Sequence, residues 1–111
     1  MGQRTVSTVI DNAVSMGSSF NGSTINGREA RSILIQAVVS GSSALNGTLA
    51  VHASADNISW ALLGTLTVTV TTDGTNLFDI TTTSVPYFRL VWTRTAGTGT
   101  LTSTVATKIE G

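Results

Sequence analysis

The single histidine of this 111-residue chain, His52, lies just upstream of Ser54 and Asp56. A base, a nucleophile and an orienting acid in mutual reach would make a hydrolytic triad. The local pattern argues against one. His52 belongs to the polar positions of an alternating strand, and Ser54-Ala55-Asp56-Asn57 is ordinary turn chemistry, in which Asp and Asn bond the nearby backbone. Only six carboxylates are present, dispersed along the chain. Asp73 and Asp79 come nearest to the paired acids of a glycosidase, yet Asp73-Gly74 reads as a hairpin turn. One histidine without cysteine builds no zinc site. A calcium site would have to be made from Asp56, Asn57 and carbonyls, with nothing else in the sequence to support it. Gly97-Thr98-Gly99 lacks the lysine and the following helix of a phosphate loop. The expectation is a protein that is not an enzyme, with no catalytic residue, no metal and no cofactor.

Binding is better provided for. Trp60, after the Asp56–Ser59 turn, and Tyr87, at the start of a strand, are the candidate stacking platforms for a glycan. For Trp60 a place in the core or at an interface is the competing expectation, because large aromatics dominate both. Trp92 lies in an apolar strand and is expected in the core. Arg4, Arg28 and Arg31 are candidates for clamping carboxylates on a partner, since the guanidinium fork pairs with them in bidentate fashion. Phe20 is an apolar anchor beside them. Arg89 and Arg94 are expected to pair structurally with Asp79 or Glu110, with binding to a partner as the alternative.

The charge balance narrows the partners. Charged residues make up 11% and the net charge is zero, far below the usual quarter of residues. Nucleic-acid binding requires clustered Lys and Arg that release counterions. One lysine, Lys108, and five scattered arginines do not supply that. No apolar run approaches the ~20 residues that span a bilayer. Met1-Gly2-Gln3-Arg4-Thr5-Val6 lacks the basic-then-apolar pattern of a signal peptide. Synthesis in a cytoplasm is expected, and the absence of cysteine fits such a compartment.

The elements that must position these residues are strands. Gly64-Thr65-Leu66-Thr67-Val68-Thr69-Val70-Thr71 alternates apolar and hydroxyl side chains, which gives one buried face and one wet, uncharged face. Other strands are expected over 4–10, 32–40, 48–54, 58–63, 76–80, 87–95 and 100–109. Asn21-Gly22, Asn26-Gly27, Asn46-Gly47, Asp73-Gly74 and Gly97-Thr98-Gly99 punctuate them as tight turns. About eight strands and no helix predict an all-β fold: an antiparallel β-sandwich, jelly-roll-like, with a flattened barrel as the alternative. Residues 1–31, rich in Asn, Ser and Gly, read as an extended N-terminal arm or edge segment, and residues 32–111 as the sandwich domain.

Gly47-Thr48-Leu49-Ala50-Val51-His52-Ala53-Ser54-Ala55-Asp56-Asn57-Ile58-Ser59-Trp60 is followed by Tyr87-Phe88-Arg89-Leu90-Val91-Trp92-Thr93 and Gly97-Thr98-Gly99-Thr100-Leu101. This succession resembles small jelly-roll virion proteins of tailed bacteriophages, most of all the capsid-stapling decoration proteins of epsilon15-like short-tailed Salmonella phages. The resemblance covers roughly residues 32–109. It implies a structural protein on the outside of the virion that contacts the major capsid protein and itself. A homo-oligomer, a dimer before a trimer, would stabilise the shell against the pressure of packaged DNA. It implies no nucleic-acid or membrane partner. The alternative is a carbohydrate-binding module of a tail or adsorption structure, using Trp60 and Tyr87.

Overall fold

The computed structural model describes residues 3–27, 30–80 and 86–110. Seven strands follow one another: β1 (Gln3–Ser15), β2 (Phe20–Asn21), β3 (Ile25–Asn26), β4 (Ala30–Ser54), β5 (Ala61–Val70), β6 (Gly74–Ile80) and β7 (Tyr87–Glu110). All pairings are antiparallel. β4 and β7 are so long because each serves two sheets. They pair along nearly their whole length, with irregular register between Ser40 and Gly47, and there they turn a corner together.

On one side of the corner, β1 pairs with the end of β7, which pairs with the start of β4, which pairs with β6. On the other side, β2 and β3 pair with the start of β7, which pairs with the end of β4, which pairs with β5. With β2 and β3 taken as one segment and β4 and β7 each halved, the segments run 1-8-3-6 in the first sheet and 2-7-4-5 in the second. That is the strand order of a jelly roll, two facing sheets joined by strands that switch sheets at a bend. The shortest dimension, 20 Å, fits two layers about 10 Å apart with their side chains.

Alternation sets the inner faces. Ile33, Ile35, Ala37 and Val39 of β4 are buried in the first sheet with Phe78 and Ile80 of β6 and Leu101 and Val105 of β7. Leu49 and Val51 of β4 and Phe88, Leu90 and Trp92 of β7 come from the second, and all belong to one apolar cluster. The threonine-rich run behaves as expected: Val70 is buried, Leu66 and Val68 are half-buried, and Thr67 and Thr69 are exposed.

The expected hairpin turns are where the fold differs. Asn46-Gly47 and Gly97-Thr98-Gly99 join no hairpins, because β4 and β7 run through them. Glycine's freedom serves a sharp bend as well as a turn. β4 bends with positive φ at Gly41 and Ala44, and β7 with φ of 80° at Gly97. A side chain on Gly97 would collide with the Ala44 carbonyl. Asp73-Gly74 joins β5 to β6, which lie in different sheets, so it too is a corner. Asn21-Gly22 and Asn26-Gly27 spend their amides elsewhere: Gly22 N–H donates to the Leu90 carbonyl (2.6 Å) and Gly27 N–H to the Pro86 carbonyl (2.8 Å).

The segment expected as an arm or edge lies along β7. Gln3–Ser15 is an edge strand whose register shifts around Asp11. Met16 is fully buried and Ile25 nearly so. The Trp92 indole Nε1–H donates to the Met16 carbonyl at 3.0 Å. Residue 31, the expected division point, falls inside β4.

Candidate interaction surface

The two outer faces of the sandwich differ in character. On the first sheet, parity turns Ser32, Leu34, Gln36 and Val38 of β4 outward. Beside them lie Thr102, Thr104 and Ala106 of β7, Val9 of β1 and Leu77 of β6. Leu77 and Val9 are more than half exposed. Lys108 and Asp79 line a shallow depression of about 350 Å³ with Thr5, Ser32 and Leu34 at one end of this face. Away from that end the described side chains are hydroxyls, an amide and aliphatics. Such a face is covered without stripping water from many ions, which is where burying charge becomes costly.

The second sheet presents chemistry. Arg89 of β7 lies opposite His52 of β4, which lies opposite Leu62 of β5. Buried Phe88 and Leu90 on either side force Arg89 outward. Trp60, just ahead of β5, comes over it, with the guanidinium carbon 4.2 Å from the ring centroid. A tight loop delivers the indole there. Asp56 Oδ1 accepts from the Ile58 and Ser59 amides, both at 2.9 Å, and from the Ser54 hydroxyl at 2.9 Å. Ser54 Oγ in turn accepts from the Asn57 amide, and Asn57 takes a positive φ of 62°. The backbone amides of Ser59 and Ile58 hold the Asp56 carboxyl below its usual range. His52 is held below its ordinary pKa by burial and then by the nearby Arg89 charge. It is therefore neutral at pH 7 and donates no second charge to the patch.

The hydrogen bonds of Asp56 lie within its own loop, which agrees with the turn reading of Ser54–Asn57. Among the described residues no group of three His, Asp or Glu is disposed to hold a metal ion. Asp73 also serves the framework. It accepts from the Ser42 amide at 2.8 Å, which ties the β5–β6 corner to the bend in β4, and the Ser42 side chain first and its amide second hold the Asp73 carboxyl below its usual range.

The expected partner residues are dispersed. Phe20 faces inward opposite Trp92 and packs against the core, half-buried. Arg4 is placed in β1 opposite Ile109, and Ile109 pairs with Ala30 next to Arg31, so both arginines fall at the Lys108 end of the first sheet. Arg28 lies outside the described residues. Trp60 is half-buried and outside the core cluster. Tyr87, half-buried, is two residues from Arg89 on the same outward register, so the two candidate glycan platforms share one face. Arg89 cannot pair with Asp79, because these residues point from opposite outer faces. It stacks on Trp60 instead. Arg94 Nε–H donates to the Gly97 carbonyl at 2.7 Å, across the corner.

One buried polar group escaped the sequence reading. Asp11, 7% exposed, sits where β1 shifts register. Its Oδ1 accepts from the Ser23 amide and hydroxyl, both at 3.0 Å, and its Oδ2 from the Ser103 hydroxyl at 2.9 Å. Inward-facing Ser103 at an otherwise apolar position of β7 was the available signal.

No family model matches the chain, and no curated protein matches it. Solved structures do. The SPBc2 prophage-derived protein YomS matches over 97% of this chain and 96% of its own, with 13% identity and a TM-score of 0.71. A chain in the structure of infectious bursal disease virus, Gx strain, matches 98% of this chain over 32% of its own length, with 15% identity and a TM-score of 0.56. At these identities the likeness is one of fold. Neither is a stapling protein of an epsilon15-like phage, so that finer likeness rests on the sequence motifs alone. The chain is an all-β, jelly-roll-like sandwich of a kind also found in a prophage-derived protein and in a virus structure.

Proposed function

We propose that this chain is a structural protein of a bacteriophage particle, one that binds the outside of the shell as a decoration protein and stabilises it against internal DNA pressure. The observation that carries this is the outer face of the first sheet, a broad, hydroxyl-lined surface with exposed Val9 and Leu77 and little charge. The fold match to a prophage-derived protein over nearly the whole of both chains supports the same reading. The partners are the major capsid protein and further copies of this chain, a dimer first. Many weak, symmetric contacts suffice, because linked sites gain avidity without any single tight contact.

The test is the copy number of this chain in purified particles from its source, by quantitative mass spectrometry against the major shell protein. Hundreds of copies in fixed ratio to the shell are expected. A dozen or fewer would move the protein to a tail, and absence would remove the reading. The second reading, a carbohydrate-binding module of an adsorption structure, is favoured by one observation, the placement of Trp60 and Tyr87 on one face. It predicts saturable binding to a surface polysaccharide that Trp60→Ala abolishes without unfolding the protein.

A further inference from the structure

Arg89 is an unusual arginine for a sheet surface. Its guanidinium is stacked at 4.2 Å on the Trp60 ring, and its Nε is buried with no hydrogen-bond partner among the described residues. A buried donor without a partner is costly and calls for an explanation. Among the described residues no carboxylate pairs with this charge. Asp56 belongs to the loop that leads into Trp60, but its hydrogen bonds are made to that loop, and Asp79 points from the other side of the molecule. The ring restricts the guanidinium plane and the loop restricts the ring. The arginine is therefore held in one orientation before anything binds, which lowers the ordering cost of binding. Beyond His52 in the same cross-strand row lies Leu62, 48% exposed, and the loop that delivers Trp60 carries Ile58 at 81% exposure. Arg, Trp and Tyr in such a setting are the residue types that dominate binding energy at protein interfaces.

We infer that Arg89, backed by Trp60, is a docking site for a carboxylate side chain of a partner protein, an Asp or Glu followed by an apolar residue that covers Ile58 and Leu62. The carboxylate fork matches the two terminal Nη groups of the guanidinium in a charge-assisted, bidentate pair, while the buried Nε stays behind the contact and reports on it. Charge complementarity selects the acid, and the exposed aliphatic pair selects a protein segment over a sugar acid. One face of Trp60 already lies under the guanidinium, which leaves the indole poorly placed as a stacking platform for a sugar. The inference goes beyond the shell-binding reading, because Arg89 lies on the opposite outer face from the one that carries that reading, and its test does not require a shell.

The experiment follows the Arg89 Nε–Hε resonance of the full chain by NMR during titration with three probes. These are the capped peptide acetyl-Glu-Leu-amide, its neutral counterpart acetyl-Gln-Leu-amide, and galacturonate. A saturable shift with the glutamate peptide, at least tenfold weaker with the glutamine peptide and with galacturonate, is expected. Arg89→Lys keeps the charge but loses the planar fork and the Nε–H, so the same titration is read on the Trp60 indole resonance. Its affinity for the glutamate peptide should fall several-fold while the melting temperature holds. Equal shifts with both peptides would overturn the role of charge. A stronger response to galacturonate would overturn the protein partner in favour of an acidic glycan, and no saturable shift with any probe would overturn the site. Failure of the shell reading would appear separately, in the particle copy number.

Discussion

Asp11 Oδ2 accepts the Ser103 hydroxyl at 2.9 Å, with both residues buried between the sheets. This bond joins the edge strand β1 to the central strand β7, and the other carboxylate oxygen holds Ser23 by its amide and hydroxyl. The carboxylate thus organises three separate stretches of chain. A buried charge is tolerated when hydrogen bonds replace its water, and here three donors do so.

Asp11→Ala should leave those donors unpaired inside the sandwich. The expected cost is about 1–3 kcal/mol, the usual penalty for stranding buried hydrogen-bonding groups. Chemical denaturation of the variant and of Ser103→Ala, with the double mutant to measure coupling, checks this. Additive effects of the two substitutions would mean that the bond contributes little.

Gly97 and Gly41 both hold positive φ, 80° and 61°, but their surroundings differ. A methyl group at Gly97 meets the Ala44 carbonyl and the Leu45 backbone, whereas at Gly41 it meets open space. Gly41→Ala should cost only the left-handed strain, about 1–2 kcal/mol. Gly97→Ala should cost more, on the order of 3 kcal/mol or above, because the paired bend of β4 and β7 must also separate. Equal melting temperatures for the two variants would show that the corner gives way easily.

Periodicity made the inner faces readable in part. Phe88 and Leu101 alternate with polar neighbours and are buried, whereas Leu34, Ala50 and Val91 make the stretches around Ile33–Ile35, Leu49–Val51 and Leu90–Trp92 apolar on both faces, and there only the strand register separates inside from outside. Connections were less readable, because Asn-Gly and Gly-x-Gly signal only a backbone able to reverse φ. Whether the reversal makes a hairpin or bends one long strand depends on partners far along the chain, as Gly97 against Ala44 shows. The same limit applied at the surface. Trp60 and Tyr87 were recognisable as candidates from their types, but the pairing of Arg89 with Trp60 depends on strand register. Parity at Phe88–Leu90 and Phe78–Ile80 sends Arg89 and Asp79 to opposite faces. Asp11 falls just past the strand expected over 4–10, and a register shift in β1 turns it inward where simple alternation does not place it.

Met16 links the N-terminal stretch to the core. It is fully buried, and its carbonyl receives the Trp92 indole N–H. Met16→Ala is expected to cost about 2–5 kcal/mol, as for other fully buried large side chains. Removal of residues 1–31 takes away Met16, Ile25 and the β1 ladder together. The truncated chain should then lose cooperative thermal unfolding. Retention of a sharp transition near the full-length melting temperature would show that residues 32–111 suffice as a folding unit.

The pH response should fall into two separate windows. His52 has a pKa below 6.5 in the folded chain, so the unfolded chain binds the proton first as pH falls. Stability is therefore full above pH 6.5 and declines as pH drops from there toward the depressed folded pKa. Asp56 is lowered from 3.8 by the backbone amides of Ser59 and Ile58, and Asp73 by the side chain and amide of Ser42. Their contribution is present above pH 3.8 and disappears as pH falls through their folded values. Melting temperature measured across both windows should show a first decline that His52→Gln removes, and a second, more acidic one that Asp73→Asn reduces and His52→Gln leaves in place. If His52→Gln left the first decline unchanged, burial of the imidazole beside Arg89 would not be its source.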